Sequence, residues 1–227
     1  MRHKLVALPN IITFGRLLCI PFVVYYLLFE RFKYALVFFM IAAVSDALDG
    51  FLARKMKAQS ELGAYLDPLA DKLLFLCTFV ALSYLNAIPF WFAVLSISRD
   101  VFIVLGYYVA RKIYKIEMEV RPLFISKVNT FVQSVLVVSF LFFLSFGLFD
   151  SWIFLGLNLL IVLGLITLFL SSLGYVYQYT PLLKGYPILV VFSTLYFVFF
   201  FFHWPYIQKH LVLCYDQYSK PVQEFSV

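Results

Sequence analysis

The sequence predicts an all-α protein, a polytopic transmembrane helical bundle, and three observations predict it. Apolar runs of about twenty residues recur along a 227-residue chain of mean hydropathy +0.95, and such a run crosses a hydrocarbon core of about 30 Å as a helix. No segment shows the short alternating pattern of a barrel strand. Lys and Arg gather in alternate loops, as cytoplasmic loops of membrane proteins require.

The elements follow in order. Helices are expected over Ile11–Phe29, Tyr34–Ala53, Gly63–Ala87, Pro89–Arg111, Phe124–Phe149 and Trp152–Tyr177, with a seventh over Pro187–Trp204. Pro9, Pro68, Pro89, Pro122 and Pro187 fall near expected helix starts, where a missing N–H costs little. The seventh segment ends in "VFFFFHW", an apolar stretch closed by an aromatic belt residue. Residues 1–180 are read as one membrane domain, and 181–227 as an additional transmembrane segment with a polar tail. No cleavable signal is read at the N-terminus, because the first apolar run lacks a small-residue cleavage site.

Loop charge sets the expected orientation. Arg2, Lys4, Arg54, Lys55, Lys57, Arg111, Lys112, Lys115, Arg121 and Lys184 fall on one side; Arg31, Lys33, Lys209 and Lys220 fall on the other. The bias places the N-terminus and the loop after the second helix in the cytoplasm. The net charge of +6 is therefore read as topology, with no nucleic acid as partner. Cys19, Cys77 and Cys214 are scattered without metal-site spacing and read as free thiols.

Against this apolar background stands "SDALDGFLARKMKAQSELGAYLDPLADK", Ser45–Lys72, which carries Asp46, Asp49, Asp67 and Asp71. Asp46, Asp49, Gly50, Ala53 and Arg54 share one helix face, and so do Gly63, Asp67 and Asp71. Two helices joined by a short loop can bring these faces together. Four carboxylates at membrane depth repel one another and resist desolvation, so a cation must sit among them. Hard oxygen donors suit Mg²⁺, Mn²⁺ or Ca²⁺, and four carboxylates can hold two such ions, as in phosphoryl chemistry. The small residues leave room for a ligand. Taken singly, each acid has a structural reading; Asp67 before Pro68, for example, fits a helix N-cap. An ion channel or transporter also uses intramembrane acids, but Arg54 and the interleaved small residues favour a phosphate ligand.

The pattern D46-x2-D49-G50-x2-A53-R54-x8-G63-x3-D67-x3-D71 resembles, at every fixed position, the signature of the CDP-alcohol phosphotransferases, and the wider resemblance covers about residues 8 to 178. The resemblance implies a six-helix membrane enzyme, often a homodimer, that transfers a phosphatidyl group from CDP-diacylglycerol to an alcohol and releases CMP. It implies Asp46, Asp49, Asp67 and Asp71 around Mg²⁺ or Mn²⁺, with Asp71 as general base on the acceptor hydroxyl. It further implies Gly50, Ala53 and Gly63 shaping the cytidine pocket, and Arg54 on the diphosphate. "LPNIITFGR" is similar to the family's P-N-x-x-T-x-x-R opening and adds Asn10 to the CDP-lipid site, with Thr13 and Arg16 on the following turns. The bland reading of that opening is a helix start with Arg16 snorkelling to the interface. The expected location is a bacterial plasma membrane, with the site facing the cytoplasm.

The acceptor site is expected from Arg99, Arg121 and Lys127, which together can hold an acceptor phosphate. Arg99 and Asp100 can instead pair with other groups of the bundle, since an unpaired charge there is too costly. "IPFWFAVLSISRDVFIVLGYYV" and "RPLFISKVNTFVQ" resemble the CMP-forming cardiolipin synthases, whose acceptor is phosphatidylglycerol. The alternative is the phosphatidylglycerophosphate synthases, whose acceptor is glycerol 3-phosphate. The alternative of a different class is a non-catalytic ion or transport protein; the complete set of motif residues weighs against it.

Overall fold

The computed structural model describes the backbone of residues 2–56, 61–112, 123–148 and 150–179, and the side chains of most residues in 13–45, 66–104 and 123–178. Six α-helices and no strands form in the described residues: α1 (Arg2–Leu28), α2 (Phe32–Met56), α3 (Glu61–Tyr84), α4 (Phe90–Lys112), α5 (Phe124–Phe146) and α6 (Ser151–Tyr179). They match the first six expected helices. The expected seventh helix, Pro187–Trp204, lies outside the described residues.

The main difference is at the helix starts. α1 begins at Arg2, not Ile11, so Pro9 and Pro21 both lie inside it. α3 begins at Glu61, so Asp67 and Pro68 lie within the helix and Asp67 is not its N-cap. A proline inside a helix frees one carbonyl, and apolar bundles tolerate this where neighbouring groups satisfy it. Pro89 behaves as expected: its carbonyl accepts from the Phe92 and Ala93 amides and starts α4.

The chain forms two packed units. The first comprises α1, α2, α3 and the last part of α5, from Val137. Here α1 packs against both α2 and α3. Its buried face is Thr13, Arg16, Ile20, Val23 and Leu27, alternating steps of three and four as in a heptad seam. α2 contributes Ala35, Phe39 and Ala42, and α3 contributes Ala70, Leu74 and Thr78. The alanines let backbones approach closely, which matters where lipid gives no hydrophobic drive for helix association. Phe39 meets Phe75 edge-on, with ring centroids 6.1 Å apart, and so joins α2 to α3.

Three helices end in the same way. Glu30, Asn86 and Gly147 have φ of 55°, 57° and 65°. At the first, the Arg31 amide donates to the Tyr26 carbonyl at 2.8 Å and the Glu30 amide to Leu27 at 2.9 Å. The Ala87 and Asn86 amides repeat the pattern on Leu82 and Ser83 after α3, and Leu148 donates to Phe143 after α5. These are Schellman caps, which satisfy the last carbonyls of each helix by turning the chain left-handed. The Arg31 carbonyl then accepts from Tyr34 and Ala35, so α2 starts at once. The α1–α2 connection is thus a tight, hydrogen-bonded turn.

The second unit comprises α4, α6 and the first part of α5, up to Leu136. α4 packs on α6 at Gly164, where an added Cβ would lie 3.1 Å from the Phe92 ring. This unit buries polar side chains among apolar ones: Ser96, Arg99, Asn129, Gln133, Thr167 and Ser171 are buried beside Phe92, Leu136, Leu157 and Leu165, while Phe131, Leu159 and Leu173 are exposed. Large exposed apolar faces outside buried, bonded polar groups suit lipid surroundings. Phe124–Phe146 and Ser151–Tyr175 are long and apolar enough to cross a membrane by length and composition. Charges interrupt the remaining helices, as Asp46 and Asp49 do in α2 and Arg99 and Asp100 in α4.

The caps differ in what they tolerate. A Cβ at Gly147 meets nothing within 4 Å, so its only obstacle is the left-handed φ. Gly147→Ala should therefore lower stability in detergent by about 1–2 kcal/mol. Gly156→Ala, equally open but inside α6, should leave stability unchanged or raise it by up to about 1 kcal/mol. Thermal unfolding of both variants checks this; equal shifts would contradict the cap assignment.

Candidate functional site

The acidic motif spans α2 and α3. Asp46, Asp49, Gly50, Ala53 and Arg54 lie in the last turns of α2, and Gly63 in the first turn of α3; their side chains lie outside the described residues, as does that of Asn10 in α1. Asp67 and Asp71 are described. They sit one turn apart on α3, both half-buried.

The described part of the site is held from α1. The Thr13 hydroxyl, fully buried, donates to Asp67 Oδ1 at 2.5 Å, across 54 residues of sequence. Thr13 belongs to the "PNIITFGR" opening and Asp67 to the acidic motif, so the structure joins the two motifs. The heptad seam explains why. Residues 13, 16 and 20 share the inner face of α1, and α1 packs along α3. Arg16, one turn on, is also fully buried. It does not snorkel to an interface; the bland reading of this opening is corrected by its place on the packed face.

A hydroxyl bonded to one carboxylate oxygen fixes the rotamer of Asp67 and leaves lone pairs on both oxygens. Orienting a carboxylate by an outer hydrogen bond is how metal ligands are held. Half-buried carboxylates one turn apart are a hard donor set, and it fits a divalent cation of the Mg²⁺ or Mn²⁺ type. Among the described residues no group of three or more such ligands occurs; the side chains of Asp46 and Asp49 lie outside them.

The second unit carries a ladder of buried polar contacts. Arg99 is only 6% exposed. It donates to Asp100 Oδ1 at 2.6 Å, to Ser126 Oγ at 2.6 Å and to Ser171 Oγ at 2.5 Å, and its guanidinium lies 5.8 Å from the Tyr175 ring centroid. Below it, Thr167 donates to Asn129 Oδ1 and Gln133 donates to Ser96 Oγ, both at 3.2 Å. Ser126, Asn129 and Gln133 lie on one face of α5, Ser96 and Arg99 on one face of α4, and Thr167 and Ser171 on one face of α6. Arg99 Nε and Asn129 Nδ2 are buried without a partner among the described residues.

The expected acceptor residues are thus separated in character. Arg99 is internal and bonded to α4, α5 and α6; Lys127 is exposed on α5 and is not among the partners of Arg99; Arg121 lies outside the described residues. Sequence reasoning named Arg99 but missed Ser171, Thr167 and Ser96. The signal was present: two hydroxyls four residues apart in the most apolar helix, α6, mark a face with polar partners.

Two substitutions test these contacts. Thr13→Val keeps shape but leaves Asp67 a donor short, and Ser171→Ala leaves Arg99 an acceptor short. Each should cost about 1–3 kcal/mol in thermal unfolding. Thr13→Ser should cost much less than Thr13→Val; equal losses would show that the methyl group, and not the hydroxyl, carries the contact.

Comparison with known proteins gives the family. The model of the CDP-alcohol phosphatidyltransferase family matches residues 6–171. A cardiolipin synthase (CMP-forming) / mitochondrial hydrolase fusion protein of Schizosaccharomyces pombe is 40% identical over 104 residues, 46% of this chain and 18% of that protein. A cardiolipin synthase (CMP-forming) of Homo sapiens is 37% identical over 147 residues, 58% of this chain and 49% of that protein. A chloroplastic CDP-diacylglycerol–glycerol-3-phosphate 3-phosphatidyltransferase of Oryza sativa subsp. japonica is 35% identical over 162 residues, 64% of this chain and 49% of that protein. The chain spans about half the length, or less, of these relatives. The family match takes in both motifs that meet at the Thr13–Asp67 hydrogen bond and the polar ladder up to Ser171, and the chain belongs to the CDP-alcohol phosphatidyltransferase family.

Proposed function

We propose that this protein transfers the phosphatidyl group of CDP-diacylglycerol to phosphatidylglycerol, forming cardiolipin and CMP. The observation that carries the reading is the Thr13–Asp67 hydrogen bond, which unites the two motif segments at one place. Relatives named for this reaction, 37–40% identical, support the choice of donor and acceptor. The large exposed apolar side chains of the second unit support a membrane-embedded enzyme, and the loop-charge bias supports a site on the cytoplasmic side.

In the proposed reaction the acceptor hydroxyl oxygen attacks the phosphorus that carries the diacylglycerol. The bond from that phosphorus to the CMP oxygen breaks, and CMP leaves. Asp46, Asp49 and Asp67, with Asp71 close by, would hold divalent metal. When bound, the metal supplies positive charge to the diphosphate and so makes CMP a better leaving group. Asp71, a turn beyond Asp67, takes the hydroxyl proton. Thr13 keeps Asp67 in one rotamer throughout. Arg54 pairs with the diphosphate by its forked donors, and Gly50, Ala53 and Gly63 leave room for the nucleotide. The acceptor phosphate is held by Arg99, Arg121 and Lys127, with Arg99 braced by Ser126 and Ser171.

The second reading has glycerol 3-phosphate as the acceptor, and the rice relative named for that reaction favours it. The two acceptors differ physically. Glycerol 3-phosphate is a small dianion that needs an enclosed cationic site; phosphatidylglycerol carries one charge and two chains and needs a site open to the bilayer.

Two measurements test the proposal. With CDP-diacylglycerol and both acceptors in one assay, cardiolipin should form; phosphatidylglycerophosphate without cardiolipin would establish the second reading. Asp71→Asn should reduce turnover by at least about a hundredfold while CDP-lipid binding survives, since the change removes the base and keeps the size. Near-normal turnover would remove Asp71 from the base role.

A further inference from the structure

The first unit has a cavity that the reaction does not use. It has a volume of about 260 Å³ and is lined by Glu30, Arg31, Phe32, Lys33, Tyr34, Leu144 and Ser145. It lies at the α1–α2 turn, the opposite end of α2 from Asp46. Thirteen residues of helix separate Lys33 from Asp46, a rise of about 20 Å, so it is not part of the acidic site.

Two cations without carboxylate partners among the described residues line it. Arg31 and Lys33 are exposed, and neither forms an ion pair with a described carboxylate. Lys33 lies over the Phe146 ring, 5.8 Å from its centroid. Neither cation serves the helix. Arg31 occupies the cap position and Lys33 the first turn of α2, where the helix dipole disfavours positive charge. Both also lie on the side that the positive-inside bias leaves poor in cations. The turn that carries them is held by its Schellman cap and by the Arg31 carbonyl, which accepts from Tyr34 and Ala35. Around the cavity, Tyr25, Phe29, Tyr34 and Phe146 are exposed aromatic side chains, the composition of a headgroup-level belt.

We propose that this cavity binds the headgroup of an anionic, hydroxylated phospholipid of the phosphatidylglycerol type, in the leaflet opposite the acidic motif. Arg31 and Lys33 hold the phosphodiester. Glu30 brings the net charge of the site to +1, matching one phosphodiester, and its carboxylate accepts from headgroup hydroxyls. Ser145 donates to the Leu141 carbonyl, so its oxygen also remains an acceptor. A choline headgroup offers neither hydroxyl donors nor net charge. The inference rests on the membrane-embedded reading above, but not on the reaction.

The test is native mass spectrometry of the full chain in detergent with excess EDTA, which silences any metal-dependent headgroup site. Phosphatidylglycerol, phosphatidylethanolamine and phosphatidylcholine are added at equal mole fraction. The wild type should retain phosphatidylglycerol in preference to both others. Arg31→Gln with Lys33→Gln should lower that retention roughly thirtyfold, and Arg31→Lys with Lys33→Arg should keep it. If the double variant does not fold, Lys33→Gln alone is read and should lose about fivefold. Equal retention of phosphatidylglycerol and phosphatidylcholine, or unchanged retention in the Gln variants, overturns the proposal. Preference for phosphatidylethanolamine overturns it too, since Glu30 would then outweigh the cations. Displacement of the lipid by low millimolar inorganic phosphate would show a free-anion site and overturn the lipid assignment. Release of the protein from membranes by alkaline carbonate would instead bring down the membrane reading itself, which the lipid comparison alone does not touch.

Discussion

A charged side chain inside an apolar bundle persists only where a fixed partner meets it, and this constraint organises the protein. In the first unit, Asp67 is met by the Thr13 hydroxyl from the inner face of α1. In the second, Arg99 is met by Asp100, Ser126 and Ser171 from three helices. Each charge thereby ties together elements that apolar packing alone would leave free to slide or rotate, because lipid competes for apolar faces as well as a helix does. The groups that the proposed chemistry uses are also groups that fix helix register.

This coupling explains why the second unit keeps bonded polar groups in its interior. Ser96, Asn129, Gln133 and Thr167 form paired hydrogen bonds inside, while phenylalanines and leucines face outward. Paired polar groups in a low-dielectric interior are directional, so they select one arrangement of α4, α5 and α6. Gly164 allows this by letting the Phe92 ring close against α6. At the other end of α2 from the acidic motif, the short Schellman turn fixes α1 against α2 with no loop to spare.

Much of this was legible in the sequence. Apolar run length located six helices, and the motif that holds Asp46, Asp49, Asp67 and Asp71 at fixed spacing pointed to the family. The helix starts were less legible, for a physical reason. Pro9 read as lying before its helix and Pro68 near the start of its own, because an isolated helix loses a hydrogen bond at proline; inside a bundle the freed carbonyl can be satisfied by neighbours, and both helices continue through them. Likewise Arg16 had two readings, a motif residue or a side chain snorkelling to the interface; tertiary packing puts it on the closed face of α1. The Thr13–Asp67 contact could not be read from spacing at all. It needs two helices in register, and sequence periodicity gives faces without giving which faces meet.

The central claim is that the carboxylates of the acidic motif, oriented from α1, bind a divalent cation. The most direct measurement is titration of metal-stripped, purified protein with Mn²⁺ followed by electron paramagnetic resonance. The wild type should bind Mn²⁺ and release it to Mg²⁺. Asp67→Asn should lose most of that binding, Thr13→Val should weaken it by about tenfold or more, and Thr13→Ser should restore it. Mn²⁺ binding by Asp67→Asn equal to that of the wild type would contradict the account.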